Sequence, residues 1–217
     1  MVEIFKEFDN AILKKIVKTI DNGGIVCFPT ETVYSLVADA ANHDAVDKIY
    51  KIKRLTSNKP LSVLVGDVYQ AKRMVNFSED AYKLALRFFP GPLTIILKIK
   101  EQGGLASNLN QDIGTLGVRI PSNIIALKII KAVGRPVVSA SASLSENQHF
   151  VDTEQVVNIL GDKIDILIDQ GITELGVEST VIDLTSEEPV IIRKGAVCSE
   201  EIENTLKCKV KILEPNN

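Results

Sequence analysis

Short apolar runs alternate with stretches of helical period along this 217-residue chain, and that alternation limits its fold more than any other feature. The runs IVCF from Ile25, LSVLV from Leu61, LTIILKI from Leu93 and GVRI from Gly117 read as strands. So do PVVSA from Pro136, DILID from Asp165, STVIDL from Ser179 and PVIIRK from Pro189. Between them, residues 11–22 place Ile12, Ile16, Val17 and Ile20 on one helical face, and Gly23-Gly24 stops that helix. Asn42 or Asp44 caps a second helix through AVDKIYKIKR, and further helices are predicted over 69–75, 79–88 and IIALKIIKAV, the last ended by Gly134. VVNIL reads as helical, Pro90-Gly91-Pro92 forces a turn, and a last helix and strand fill 199–213. The pattern predicts an α/β or α+β chain with a mixed sheet. It is expected to form one domain over residues 9–213, with the piece after Gly195 as part of its edge.

The bulk numbers narrow the function classes. Net charge is −3 and pI about 5.5, which argues against a protein that coats nucleic acid by counterion release. No apolar run approaches the ~18 residues of a membrane span, and the first ten residues lack the layout of a signal peptide. The expected location is therefore cytoplasmic. Three cysteines, Cys27, Cys198 and Cys208, match no metal or redox spacing and read as reduced thiols. With only His43 and His149, there is little material for a histidine metal site or a Ser-His-Asp triad. No GxxxxGK[ST] and no GxGxxG occurs.

Polar clusters sit where the strands end, the usual place for a ligand crevice in such sheets. In PTETVY, Thr30 and Thr32 flank a carboxylate, Glu31, with no charge partner near in sequence, and Tyr34 offers a ring face or a phenol. Local backbone bonding by the threonines accounts for the motif equally well. The segment KIYKIKRLTSNK holds Lys48, Lys51, Lys53, Arg54 and Lys59, suited to phosphates or simply a solvated helix face. Arg119, inside the apolar TLGVRIP, needs an acidic partner, either a structural carboxylate or a substrate carboxylate. SASASLSENQ, from Ser139, leaves small side chains and many hydroxyls after a strand. GVESTVID puts Ser179 and Thr180, and IIRKG puts Arg193, beside strands. Such residues suit catalysis by positioning and electrostatics rather than by a covalent nucleophile.

Taken together and in order, GGIVCFPTETVY, NKPLSVLV, FPGPLTIIL, GVRIP, SASAS, GVESTVID and RKG resemble the YrdC/TsaC family, the threonylcarbamoyl-AMP synthases. The resemblance runs from about Gly23 to Gly195. It implies a single YrdC-like domain, with a twisted sheet around a concave basic cavity. A longer branch of the family adds a C-terminal domain, for which this chain looks too short. The implied reaction is a nucleotidyl transfer: L-threonine, bicarbonate and ATP, with Mg, give threonylcarbamoyl-AMP and pyrophosphate. A partner threonylcarbamoyl transferase complex then modifies the tRNA adenosine beside the anticodon, with a weak tRNA contact expected of this chain. By the same resemblance, Thr30, Arg119, Ser139 and Ser179 bind L-threonine, and Lys53, Ser57, Thr115, Ser141 and Arg193 bind the nucleotide. Lys53 and Arg119 carry the catalytic roles, and Thr30-Glu31-Thr32 is expected to leave the core as the rim of the threonine pocket.

Four positions depart from the family pattern. Ser35 stands for a glycine, and Leu55 for an arginine with Arg54 next door. Ser143 stands for an asparagine, and Glu146 for a glycine. Two competing readings follow. One is a diverged, non-catalytic paralogue that binds RNA or nucleotide. The other is a carbamoyl-transfer domain.

Overall fold

The computed structural model describes residues 2–56, 59–101, 103–110, 113–143 and 150–213. In chain order the elements are β1 (Glu3–Phe5), α1 (Asn10–Asp21), β2 (Val26–Pro29), β3 (Tyr34–Asp39), α2 (His43–Lys53) and β4 (Ser62–Leu64). Then come α3 (Val68–Met74), α4 (Glu79–Phe88), β5 (Leu93–Lys98), β6 (Thr115–Arg119), α5 (Ile124–Val133) and β7 (Val137–Ser141). The chain continues through α6 (Thr153–Leu160), β8 (Ile166–Ile168), β9 (Thr180–Asp183), β10 (Val190–Arg193), α7 (Ser199–Leu206) and β11 (Lys211–Ile212). Helix starts follow from side-chain caps. Asp9, Asn42, Asp67, Ser78, Asn123 and Asp152 each accept a backbone N–H of the first turn. Gly134, at φ +72°, ends α5 in the left-handed region that glycine enters without a Cβ clash.

The strands form one mixed sheet in the order β1-β8-β2-β3-β7-β4-β6-β5-β9-β10-β11. β3 and β7 run antiparallel, as do β7 and β4, whereas β4 pairs in parallel with β6. Two strands escape the sequence reading. β1 is three residues at the sheet edge, and β3 is entirely buried, so its run YSLVAD shows no polar alternation.

The period of two along each strand decides what each face of the sheet becomes. Leu36, Val63, Ile95, Leu116, Val138 and Ile182 all point to one side, where α2, α3, α4, α6 and α7 cover them in the larger core. On the other side α1 and α5 cover only part of the face, packing Ile16, Ile20, Ile129 and Ile130 against Val26, Phe28, Val37 and Ile166. The same face then continues with Ser35, Ser139, Ser141, Ser62, Gly117 and Thr94. These side chains are too small and too polar to recruit another helix. A concavity remains where an apolar core would otherwise be.

Candidate functional site

That concavity has a volume of about 730 Å³. Ser62, Ser139 and Gly117 form its floor, held in register because Ser62 pairs with both of the others. Gly117 cannot be enlarged without intrusion: a Cβ there would sit 3.0 Å from Thr94 Cγ2 and 3.1 Å from Ser62 Cβ. Among the described residues, Lys53, Arg54, Lys59, Arg119 and Arg193 line the walls against one lining carboxylate, Glu178. The cavity is therefore electropositive in an acidic protein, and its chemistry favours anions.

The PTET segment does not leave the core. Thr30, Glu31 and Thr32 are buried in the turn that joins β2 to β3, where the Thr30 N–H donates to Val33 O at 3.2 Å. This corrects the expectation of a rim. It also identifies the missing partner of Glu31, since Arg119 Nη2 donates to Glu31 Oε1 at 2.7 Å from 88 residues away. Thr30 itself is not among the cavity-lining residues; Thr32 is. The Thr30 hydroxyl donates to Val33 O at 2.8 Å, so the 2.8 Å contact between the two threonine hydroxyls has Thr32 as donor. Thr32 Oγ1 is left as an acceptor on a residue that lines the cavity. Tyr34 is fully buried, its hydroxyl donating to Gly171 O at 2.8 Å, so it offers no face to a ligand.

Arg119 sits on β6 with only 6% of its surface exposed, and it lines the cavity. Its Nε donates to Gly91 O at 3.1 Å. The structural ion pair is therefore present, on a guanidinium that also reaches the cavity wall. Ser139 lines the floor. The Ser179 hydroxyl lies 2.9 Å from Thr94 Oγ1 and accepts from Arg193 Nη2 at 3.1 Å. Arg193 also donates from Nε to Ser179 O at 3.1 Å and from Nη1 to Glu178 Oε2 at 2.6 Å. Thr115 shares the strand face of Gly117 and Arg119 but is not among the lining residues. Its carbonyl accepts from Asn110 Nδ2 at 3.0 Å. Ser57 and Glu146 lie outside the described residues.

Lys53, in the last turn of α2, reaches across to the end of β7. Its ammonium donates to Ser141 O at 2.8 Å, to Ser143 O, and to Ser143 Oγ at 3.1 Å. Burial lowers its pKa to about 8, only partly offset by the Glu178 carboxylate. Ser141 Oγ and Ser143 Oγ are 3.1 Å apart, so both serines belong to the same network. Ser143 therefore keeps a hydrogen-bonding group where the pattern it resembles has asparagine. Ser35 pairs with Phe28 and Ser141 inside β3, and the positive-φ residues other than glycine, among those described, are Arg54, Asn110 and Lys207. A serine at 35 carries no backbone strain. Leu55 and Arg54 both line the cavity, Arg54 as the left-handed cap of α2. Sequence reasoning missed Ser62, Thr94 and Gly117 as site residues. Their signal was a small or polar residue at alternate positions of otherwise apolar strands.

No group of three or more His, Cys, Asp or Glu side chains is placed to hold a metal among the described residues. No helix among them is long and apolar enough to cross a membrane. The three thiols are free.

Comparison with known proteins agrees with this geometry. A model of the Sua5/YciO/YrdC family, described as telomere recombination, matches residues 18–195. The threonylcarbamoyl-AMP synthase of Pyrococcus abyssi is 38% identical over 188 residues, covering 86% of this chain and 55% of that protein. The Bacillus subtilis threonylcarbamoyl-AMP synthase is 39% identical over 180 residues, covering 82% of this chain and 52% of that one. The chain thus spans about half the length of these two relatives. Among solved structures, P. abyssi Sua5 complexed with L-threonine superposes with a TM-score of 0.91 at 34% identity, over 98% of this chain and 62% of that one. Escherichia coli YciO superposes at 0.84 with 25% identity, over 93% of this chain and all of the other.

Proposed function

We infer, from the premise that this chain belongs to the Sua5/YciO/YrdC family, that it is a threonylcarbamoyl-AMP synthase acting as a nucleotidyltransferase. One observation carries the reading. A single cavity holds a guanidinium fit for a carboxylate (Arg119), an acceptor hydroxyl fit for a hydroxyl or ammonium (Thr32), and a separate basic wall (Lys53, Arg193) fit for phosphates. Those two kinds of wall in a cavity of about 730 Å³ suit an amino acid beside a nucleotide. The relatives named threonylcarbamoyl-AMP synthase, and the Sua5 complex with L-threonine, support the same pair of substrates.

In this reading Arg119 takes the threonine carboxylate, and Ser139, Ser179 and Thr32 take its hydroxyl and amine. The threonine nitrogen adds to the carbon of bicarbonate or dissolved carbon dioxide, with bicarbonate losing water, to give the carbamate. A carbamate oxygen then attacks the α-phosphorus, the bond to the β-phosphate oxygen breaks, and pyrophosphate leaves. Lys53, Arg193 and Ser141, all lining the cavity, hold the phosphates. Magnesium enters as part of the MgATP substrate. The product would pass to a threonylcarbamoyl transferase acting on tRNA, in the cytoplasm.

The test is incubation of the purified protein with MgATP, bicarbonate and L-threonine, following pyrophosphate. Threonine-dependent release is expected. ATP binding with no threonine-dependent release would replace this reading with a nucleotide-binding one. Two further outcomes follow from the geometry. Gly117→Val should crowd Thr94 and Ser62, lower stability by roughly 1–3 kcal/mol, and lower affinity for both substrates at least ~10-fold, because its methyls would occupy the floor. Calorimetric titration checks it, and unchanged affinity would move the site elsewhere. The second concerns pH. Lys53 is an ammonium below about 8 and loses its proton above, so ATP affinity should fall as pH rises from 7.5 to 9.5. Lys53→Arg should hold affinity level across that window, and a parallel fall in both proteins would exclude Lys53 as the titrating group.

A further inference from the structure

We propose that Glu31 is a positioning residue: it fixes the plane of the Arg119 guanidinium and so aims the remaining N–H groups at the substrate carboxylate. The proposal rests on the reading that Arg119 receives a carboxylate.

The guanidinium is held at two points. Nε donates to Gly91 O, and Nη2 donates to Glu31 Oε1. Two anchors on a planar group fix its rotation as well as its place. Nη1 has no acceptor among the described residues, so both of its N–H groups are free for a ligand in the cavity that Arg119 lines. The anchors are themselves fixed. The Gly91 N–H donates to Ile120 O at 2.8 Å, next to Arg119 in the chain. Glu31 Oε2 accepts the N–H groups of Ser122 at 3.1 Å and Asn123 at 3.4 Å, at the start of α5. Its carboxylate thus rests on the positive end of a helix whose inner face is buried against the sheet. The Glu31 carbonyl accepts the Leu175 N–H at 2.8 Å, tying down the backbone beneath.

A buried guanidinium needs a counter-charge, but that charge can lie on any side of it. Glu31 sits behind the guanidinium, among backbone donors, and is not itself among the lining residues. This arrangement leaves the positive edge forward and the negative charge behind. A free arginine on β6 would sample many rotamers and lose affinity to the entropy of ordering.

The test compares Glu31→Gln and Glu31→Asp with the parent protein. Glutamine cannot serve both sides: with its oxygen toward Arg119, its NH2 faces the Ser122 and Asn123 donors, and turned round it faces the guanidinium. Threonine and ATP binding are measured by calorimetry, and pyrophosphate release gives KM and kcat. The expected result for Glu31→Gln is a rise in threonine Kd and KM of roughly 10- to 100-fold, with ATP affinity unchanged and kcat within a few-fold. Glu31→Asp, which keeps the charge, should recover part of the loss, and it carries the test if the glutamine variant does not fold. Equal losses for threonine and ATP, or no loss for threonine, would overturn the proposal. A nitrogen-15 spectrum of arginine Nε groups separates it from the threonine reading. A sharp, slowly exchanging Arg119 signal is expected in the parent and a broadened one in Glu31→Gln. If that holds while the parent binds no threonine, Arg119 is positioned for another carboxylate and only the threonine reading falls. An unchanged Arg119 signal in Glu31→Gln overturns the positioning role.

Discussion

Arg119→Ala is expected to lower kcat/KM for threonine roughly 1,000-fold and to destabilise the protein by about 3 kcal/mol. The two effects have different origins. The catalytic loss comes from removing the only guanidinium that Glu31 and Gly91 hold at the cavity wall. The stability loss comes from stranding Glu31, whose carboxylate is buried and would keep only the Ser122 and Asn123 amides. Breaking a buried pair by one partner leaves an uncompensated charge. For a chain of this length, about 3 kcal/mol corresponds to a fall in Tm of roughly 6–12 °C. Adding Glu31→Gln to Arg119→Ala removes that charge, so the double variant should regain stability while activity stays lost. Pyrophosphate kinetics and thermal unfolding read the two effects separately. A variant with an unchanged threonine KM would show that the carboxylate is held elsewhere and that Arg119 is only a structural partner of Glu31.

The pairing of Arg119 with Glu31 marks the limit of what the sequence could disclose. Arg119 within an apolar run signals a buried cation that needs an acid, and the chain supplies many acids. Nothing local chooses Glu31, 88 residues away. The same separation made PTET look like an exit from the core, because a carboxylate flanked by threonines has no visible partner until β2, β3 and β6 are assembled. Strands and helices were easier to read, because caps such as Asn42 and stops such as Gly134 act over a few residues. β3 was hidden by its own burial: with every residue of YSLVAD inside, no polar alternation marks it as a strand. The cavity floor was legible in principle. Ser62 between Leu61 and Val63, Thr94 between Leu93 and Ile95, and Gly117 between Leu116 and Val118 each break an apolar strand on the same side. Only the sheet order, which pairs β4 with both β6 and β7, shows that these breaks are adjacent.

Gly195→Ala is expected to be the most damaging of the glycine-to-alanine changes. Its backbone needs no special dihedral; the constraint is contact. A Cβ at 195 would lie 2.4 Å from Glu178 O, 2.5 Å from Ser179 C and 2.5 Å from Thr180 N, all backbone atoms that no rotamer can move. Three hydrogen bonds hold the two segments together at that spot. The Ala196 N–H donates to Glu178 O at 3.0 Å, the Val197 N–H to Thr180 Oγ1 at 2.9 Å, and the Thr180 hydroxyl to Val197 O at 2.7 Å. Alanine must push these strands apart, at about 3 kcal/mol, the upper part of the range for overpacking. The displacement falls on the residues that carry the site. Ser179 would move relative to Thr94, and Arg193, two residues before the glycine, would lose its grip on Ser179 and Glu178. Both threonine and ATP affinity should therefore drop, by roughly 10- to 100-fold each. This separates the variant from Glu31→Gln, which touches the threonine side alone. Calorimetry with each substrate on a sample shown to be folded by its unfolding transition is the check. Unaltered affinities would mean that the segments yield without carrying Ser179 or Arg193 along, and neither residue could then be tied to binding through this contact.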